Sequence, residues 1–113
     1  MIVYGIPNCD TVKKARRWLE EAGLAHTFHD YRKQGVPEDR LRAWVAAKGW
    51  DALLNRRGTT FRKLDPDQTA DIDADKAIAI MLAHDATIRR PVVESGDKLL
   101  VGFSPDEWRA VLA

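Results

Sequence analysis

Residues 2 to 31 set two short β-favouring stretches on either side of one amphipathic helix, and few chain paths accept that order. Ile2 to Tyr4 is apolar and bounded by Gly5 and Pro7, the pattern of a short buried strand. From Val12 onward, Val12, Ala15, Trp18, Leu19 and Ala22 recur at helical spacing, while Lys13, Lys14, Arg16, Arg17 and Glu20 fill the remaining positions. Gly23 is a natural C-terminal stop. Residues 26 to 31 are mostly aromatic or β-favouring and read as a second strand. Strand, helix and strand this early predict a parallel pair with a crossover helix, because parallel neighbours cannot be joined by a tight turn.

The middle of the chain has a different texture. Pro37-Glu38-Asp39 opens a helix with Leu41, Trp44 and Val45 on one face, ending near Gly49, and Asp51 to Leu54 adds a turn. The stretch "NRRGTTFRKL", positions 55 to 64, is dense in cations and poor in periodicity. A further helix is predicted within 74 to 84, with Ala74, Ala77, Ile78, Met81 and Leu82 on its apolar side. No strand is expected between about 34 and 87. Pro91 to Glu94 and Lys98 to Val101 then flank Ser95-Gly96-Asp97, a hairpin pattern. Ser104 as N-cap, Pro105 at the first helical position and Glu107 as a capping-box partner announce a last helix carrying Trp108, Val111 and Leu112. Trp18, Trp44 and Trp108 fit apolar helical faces and are expected in the core. The order β-α-β, helical segment, β-β-α predicts an α/β fold with a mixed four-stranded sheet and a helical insertion. As domains, 1–113 reads as a single unit, with a core of 1–33 and 87–113 and an insert of 34–86.

Composition excludes several classes. The 113 residues suit one domain with a real core. A net charge of +1 is not the footprint of a nucleic-acid binder, so no nucleic-acid partner is expected. No apolar run approaches the ~20 residues that span a bilayer, and the start lacks the pattern of a signal peptide. One cysteine cannot form an internal disulfide, which points to the cytoplasm rather than a secreted framework. His26, His29 and His84 show no ligand spacing, so no metal is expected.

That one cysteine, Cys9, lies in the connection between the first strand and the helix. Open α/β sheets gather ligands beyond the carboxyl ends of their strands. The position is also at or beside a helix N-terminus, where orphan N–H groups and the dipole favour an anion, and a thiolate is one. The alternative is a small packing residue, which sits more naturally inside the strand or on the helix's apolar face. A pKa below the ~8.5 of a free thiol raises the thiolate fraction, but nucleophilicity falls with a Brønsted slope of about 0.4–0.5. Attack gains little; Cys9 improves mainly as a leaving group when a second thiol resolves a mixed disulfide. This chain has no second cysteine, so the resolving thiol must come from outside. Asn8, Asp10 and Thr11 surround Cys9; each can cap the helix, and Asn8 and Thr11 are equally placed to bind a ligand. An anionic substrate needs fixed cations, which arginine supplies as a planar fork of donors. Arg57 and Arg90 are the candidates, with Arg56, Arg62, Lys63 and Arg89 read as solvated surface.

The blocks "YGIPNCDTVKKARRWLE", "FHDYRKQG", "GWDALLNRRGTTFRKL", "RRPVV" and "LLVGFSPDEW", in that order over essentially the whole chain, resemble the arsenate-reductase-like family of thioredoxin-fold proteins, nearest its YffB branch. The resemblance implies a thioredoxin-like sheet and glutathione-dependent thiol–disulfide chemistry. It implies Cys9 as nucleophile, Arg90 beside the catalytic thiolate, Pro91 in the cis form, and Arg57 as a second active-site arginine, Asn55 occupying the family's own column. Two departures matter. Arsenate reductases of this type draw a further arginine from the segment after the last strand, and "VGFSPDEW" has none. The regulatory Spx branch often carries Cys-x-x-Cys, whereas here the fourth position is Val12. The expected activity is therefore reduction of a small or protein disulfide, with glutathione as cosubstrate and resolving thiol and no bound cofactor. An arsenate reductase and an Spx-like regulatory binding protein are the alternatives.

Overall fold

The computed structural model describes residues 1–113. In chain order the elements are β1 (Ile2–Gly5), α1 (Asp10–Glu21), β2 (Thr27–Asp30), α2 (Tyr31–Gln34), α3 (Glu38–Lys48), α4 (Trp50–Leu53) and α5 (Thr59–Arg62). After these come α6 (Pro66–Thr69), α7 (Ala74–Ala83), a 3-10 turn (Asp85–Thr87), β3 (Val92–Ser95), β4 (Lys98–Val101) and α8 (Pro105–Leu112). The chain divides into two compact units, one of Met1–Gly35 with Arg90–Ala113 and one of Val36–Arg89.

The first unit holds the sheet, in the order β2-β1-β3-β4. β1 runs parallel to β2 and antiparallel to β3, and β3 and β4 form the hairpin. Register aligns Val3 with Val93, and Val93 with Leu100. Because side chains alternate along a strand, these three share one face, and Ala15 and Leu19 of α1 and Trp108 of α8 bury them. Trp108 packs edge-on against Phe103 at 4.8 Å and Trp18 at 5.8 Å, and its indole N–H donates to the Gly102 carbonyl at 3.1 Å. Gly5 lets α1 approach the end of β1, since a Cβ there would lie 2.9 Å from Cγ2 of Val12. Ser104 caps α8 as expected, its hydroxyl accepting from the Glu107 N–H at 3.5 Å.

In the second unit, Leu41, Trp44 and Val45 of α3, Leu53, Leu54, Ile88 and the inner side of α7 are buried. Leu54 and Ile88 form an isolated antiparallel bridge, flanked by Asn55 N–H to Thr87 O at 2.8 Å and Arg89 N–H to Leu53 O at 2.7 Å.

Several expectations need correction. α1 begins at Asp10, so Cys9 itself is the N-cap and the helix starts two residues earlier than its apolar period. β2 ends at Asp30, whose carboxylate accepts from the Arg32 N–H at 2.8 Å and turns the chain into α2. Ala74 is exposed at the start of α7 and Ile80 is buried, which shifts the apolar side. Trp18 is only partly buried, packing over the core from its rim. No helix is long and apolar enough to cross a membrane.

Candidate active site

Cys9 follows the turn that ends β1. Its N–H donates to Ile6 O at 3.2 Å, and its carbonyl accepts the first helical bond from the Lys13 N–H at 3.0 Å. Its backbone is extended, at φ −91 and ψ 125, as an N-cap requires. No side-chain cap bond closes this helix end. The thiolate instead draws on main-chain donors. Burial alone would raise the Cys9 pKa, but the Val12 N–H, the hydrogen bond and charge of Arg90, and the Thr11 N–H outweigh it and hold the thiol below its ordinary value. The side chain is half-buried, so the sulfur remains open to a partner.

Arg90 reaches Cys9 from two residues before β3, where the Arg90–Pro91 peptide bond is cis. Pro91 is buried, and its carbonyl accepts from the Gly102 N–H at 2.8 Å, tying this bend to the end of β4. One sheet therefore fixes both partners: β1 leads into Cys9, and its antiparallel neighbour β3 begins beside Arg90.

Of the predicted site residues, Cys9, Arg90 and Pro91 come together in the first unit. Asn8 and Thr11 flank them but are exposed, and neither side chain caps α1. Thr11 contributes through its main chain. Arg57 belongs to the second unit, exposed in a turn where its N–H donates to Asn55 Oδ1 at 3.1 Å. There Arg56, Arg57 and Arg89 line an open pocket of about 730 Å³ with Asp51, and Arg56 pairs with Asp51 at 2.7 Å. Residue types did not single out the Val12 donor, since it is main chain; the expected orphan N–H groups of the helix N-terminus were the available signal. His29 and His26 have local partners, His29 Nε2 lying 2.8 Å from Gly35 O and His26 accepting from Arg16 Nε at 3.4 Å.

A half-exposed thiolate held by N–H donors and a guanidinium can attack a disulfide sulfur or an electrophilic oxyanion, and can leave again when attacked in turn. With one cysteine, the chain cannot complete such a cycle alone.

Comparison with known proteins gives consistent results. The ArsC family model matches residues 4–111. A solved structure described as a YFFB protein is 54% identical with a TM-score of 0.96, covering 99% of this chain and 98% of its own. An arsenate reductase (ArsC) related protein from Brucella melitensis is 48% identical with a TM-score of 0.77, covering 97% and 92%. The global transcriptional regulator Spx of Streptococcus mutans is 26% identical, over 94% of this chain and 78% of its own. The mixed four-stranded sheet is thus the thioredoxin-like arrangement of these structural neighbours.

Proposed function

Since this chain belongs to the ArsC family, we propose that it is a glutathione-dependent thiol–disulfide reductase acting through Cys9. The observation that carries the reading is a thiol of lowered pKa, hydrogen-bonded by Arg90 at a helix N-terminus, in a chain without a second cysteine.

The Cys9 thiolate attacks the glutathione sulfur of a mixed disulfide. The S–S bond breaks, the substrate thiolate leaves with the electron pair, and Cys9 carries glutathione. A second glutathione, as thiolate, attacks the glutathione sulfur of that adduct, giving oxidised glutathione and restoring the Cys9 thiolate. In net terms the mixed disulfide and one glutathione become the substrate thiol and oxidised glutathione, one S–S bond being broken and one formed at each step. Arg90 and the Val12 and Thr11 N–H groups stabilise negative charge on Sγ, which favours the second step by making Cys9 the better leaving group. Asn8, Thr11 and Pro91 are assigned to the substrate's surroundings. Glutathione is a cosubstrate here, no resident cofactor takes part, and the cytoplasm, with its reduced glutathione, is the setting.

Arsenate is the discriminating substrate. It concentrates its charge in a small volume, and this chain lacks an arginine in "VGFSPDEW" to complete the set. A hydrogen bond to a charged group is worth ~1.5–3 kcal/mol, so its loss lowers arsenate turnover by roughly 10- to 150-fold. A coupled assay supplying the same glutathione with either arsenate or 2-hydroxyethyl disulfide tests this. Turnover of the disulfide with arsenate near background is expected; efficient arsenate turnover overturns the reading.

A further inference from the structure

Helix α1 carries its charges in an order that its own dipole disfavours. Carboxylates stabilise the first turn of a helix and cations the last. α1 has Asp10 in its first turn, but Lys13, Lys14, Arg16 and Arg17 follow directly, while Glu20 and Glu21 close it with no basic residue in the last turn. Lys13 and Arg17 are spaced four apart, a like-charge pair that weakens a helix. Lys13, Lys14 and Arg17 are exposed and none joins an ion pair. Arg16 is held differently, its guanidinium 4.3 Å from the Phe28 ring centroid. With a net charge of only +1, the chain is not basic throughout. Asp10 with Lys14, Arg16 with Glu20 and Arg17 with Glu21 are spaced four apart for favourable pairing, yet no ion pair forms within α1, and Lys13, Lys14 and Arg17 keep their charges in solvent.

The cluster lies on the helix that Cys9 caps, within its first two turns. Pro7, Val12, Lys13, Arg16, Arg17 and Glu20 line an open groove of about 290 Å³. Pro7 lies in the turn before Cys9, and Lys13 is one helical turn beyond it, its N–H bonded to the Cys9 carbonyl at 3.0 Å. From Cys9 to Arg17 the helix rises about 12 Å. Cations spread along an open surface of that length suit an extended acidic segment, which they would steer and orient.

We propose that the Lys13–Arg17 face of α1 is a docking surface for an acidic peptide segment of a disulfide-bearing protein substrate, aligning that disulfide with Cys9. This rests on the thiol–disulfide reading above and names the substrate class for it. Docking adds no chemical step.

The test uses three mixed disulfides with glutathione: a hexapeptide with three glutamates beside its cysteine, its lysine counterpart, and 2-mercaptoethanol. The measured quantity is the ratio of deglutathionylation rates for the acidic and basic peptides. Charge reversal near Cys9 also alters its thiolate fraction, but that effect cancels in the ratio. A preference of about tenfold for the acidic peptide is expected at low salt, shrinking to within about twofold near 0.5 M salt. Lys13→Glu with Arg17→Glu should flatten or invert the ratio, and Lys98→Glu, on the exposed edge of the hairpin, should retain it. No preference in the wild type, or one that survives the double substitution, overturns the inference. Equal losses on all three substrates place the cluster's action on the glutathione moiety and also overturn it. Exchange with the 2-mercaptoethanol disulfide but no charge preference between the peptides defeats the docking surface alone. Failure with all three defeats the proposed function and the docking surface with it.

Discussion

Burial would raise the Cys9 pKa, and the Val12 N–H, Arg90 and the Thr11 N–H reverse that effect, so the pH behaviour of this one residue is predictable in sign. The folded pKa lies below that of the unfolded chain, near ~8.5. Cys9 therefore contributes stability that is fully present above about pH 8.5 and is lost as pH falls through the lowered folded value. Urea midpoints of wild type and Cys9→Ser should diverge towards alkaline pH, the wild type gaining; a constant difference would show that no linkage exists. Alkylation by iodoacetamide should have a midpoint below ~8.5, and Arg90→Ala should move it upward. The same substitution should slow disulfide turnover by about tenfold, the lower end for a lost charge-assisted bond beside a partly exposed group, and by more than Arg62→Ala. Equal effects of the two substitutions would remove Arg90 from the site. Cys9 was legible because its surroundings are punctuated by Gly5, Pro7 and a helical period. Its role as N-cap was not, because Asn8, Asp10 and Thr11 are stronger cap formers by residue type and cysteine is not among the preferred caps.

The elements that hold Cys9 in place are short and depend on close approach. At Gly5, alanine would press its Cβ on the Val12 side chain, with 2.9 Å between them. Gly5→Ala should destabilise the fold by about 1–3 kcal/mol and, by shifting the start of α1, slow Cys9 alkylation. Thermal unfolding and the alkylation rate measured together check this, and a neutral change in both would show that the contact relaxes freely. Leu19 is fully buried between α1 and the sheet, and Leu19→Ala should cost about 2–5 kcal/mol in denaturant unfolding. The hairpin was readable because Gly96, at φ 61, supplies the left-handed conformation that its tight turn demands. α8 was readable from Ser104 and Pro105. By contrast, α5 and α6 have four residues each, too few to express a 3.6-residue period, and the Leu54–Ile88 bridge has no alternation to reveal it. The boundary of β2 was missed because Tyr31 is a good strand residue, and what ends the strand is the Asp30 side chain folding back on Arg32.

At the scale of the molecule, the order of elements and the ordered family blocks made the thioredoxin-like sheet legible from end to end. Orphan N–H groups near Cys9 were legible from the strand-to-helix junction, but that those of Val12 and Thr11 act on Sγ was not, because that depends on where the helix begins. The central claim is that one cysteine completes a catalytic cycle by borrowing its resolving thiol from glutathione. Intact-mass analysis tests this most directly. Native protein is treated with oxidised glutathione, then with reduced glutathione, in parallel with Cys9→Ser. A single glutathione adduct per chain is expected on the wild type, no adduct on Cys9→Ser, and full return to the unmodified mass with reduced glutathione. A native Cys9 that takes up no glutathione, or an adduct that reduced glutathione cannot remove, would contradict it.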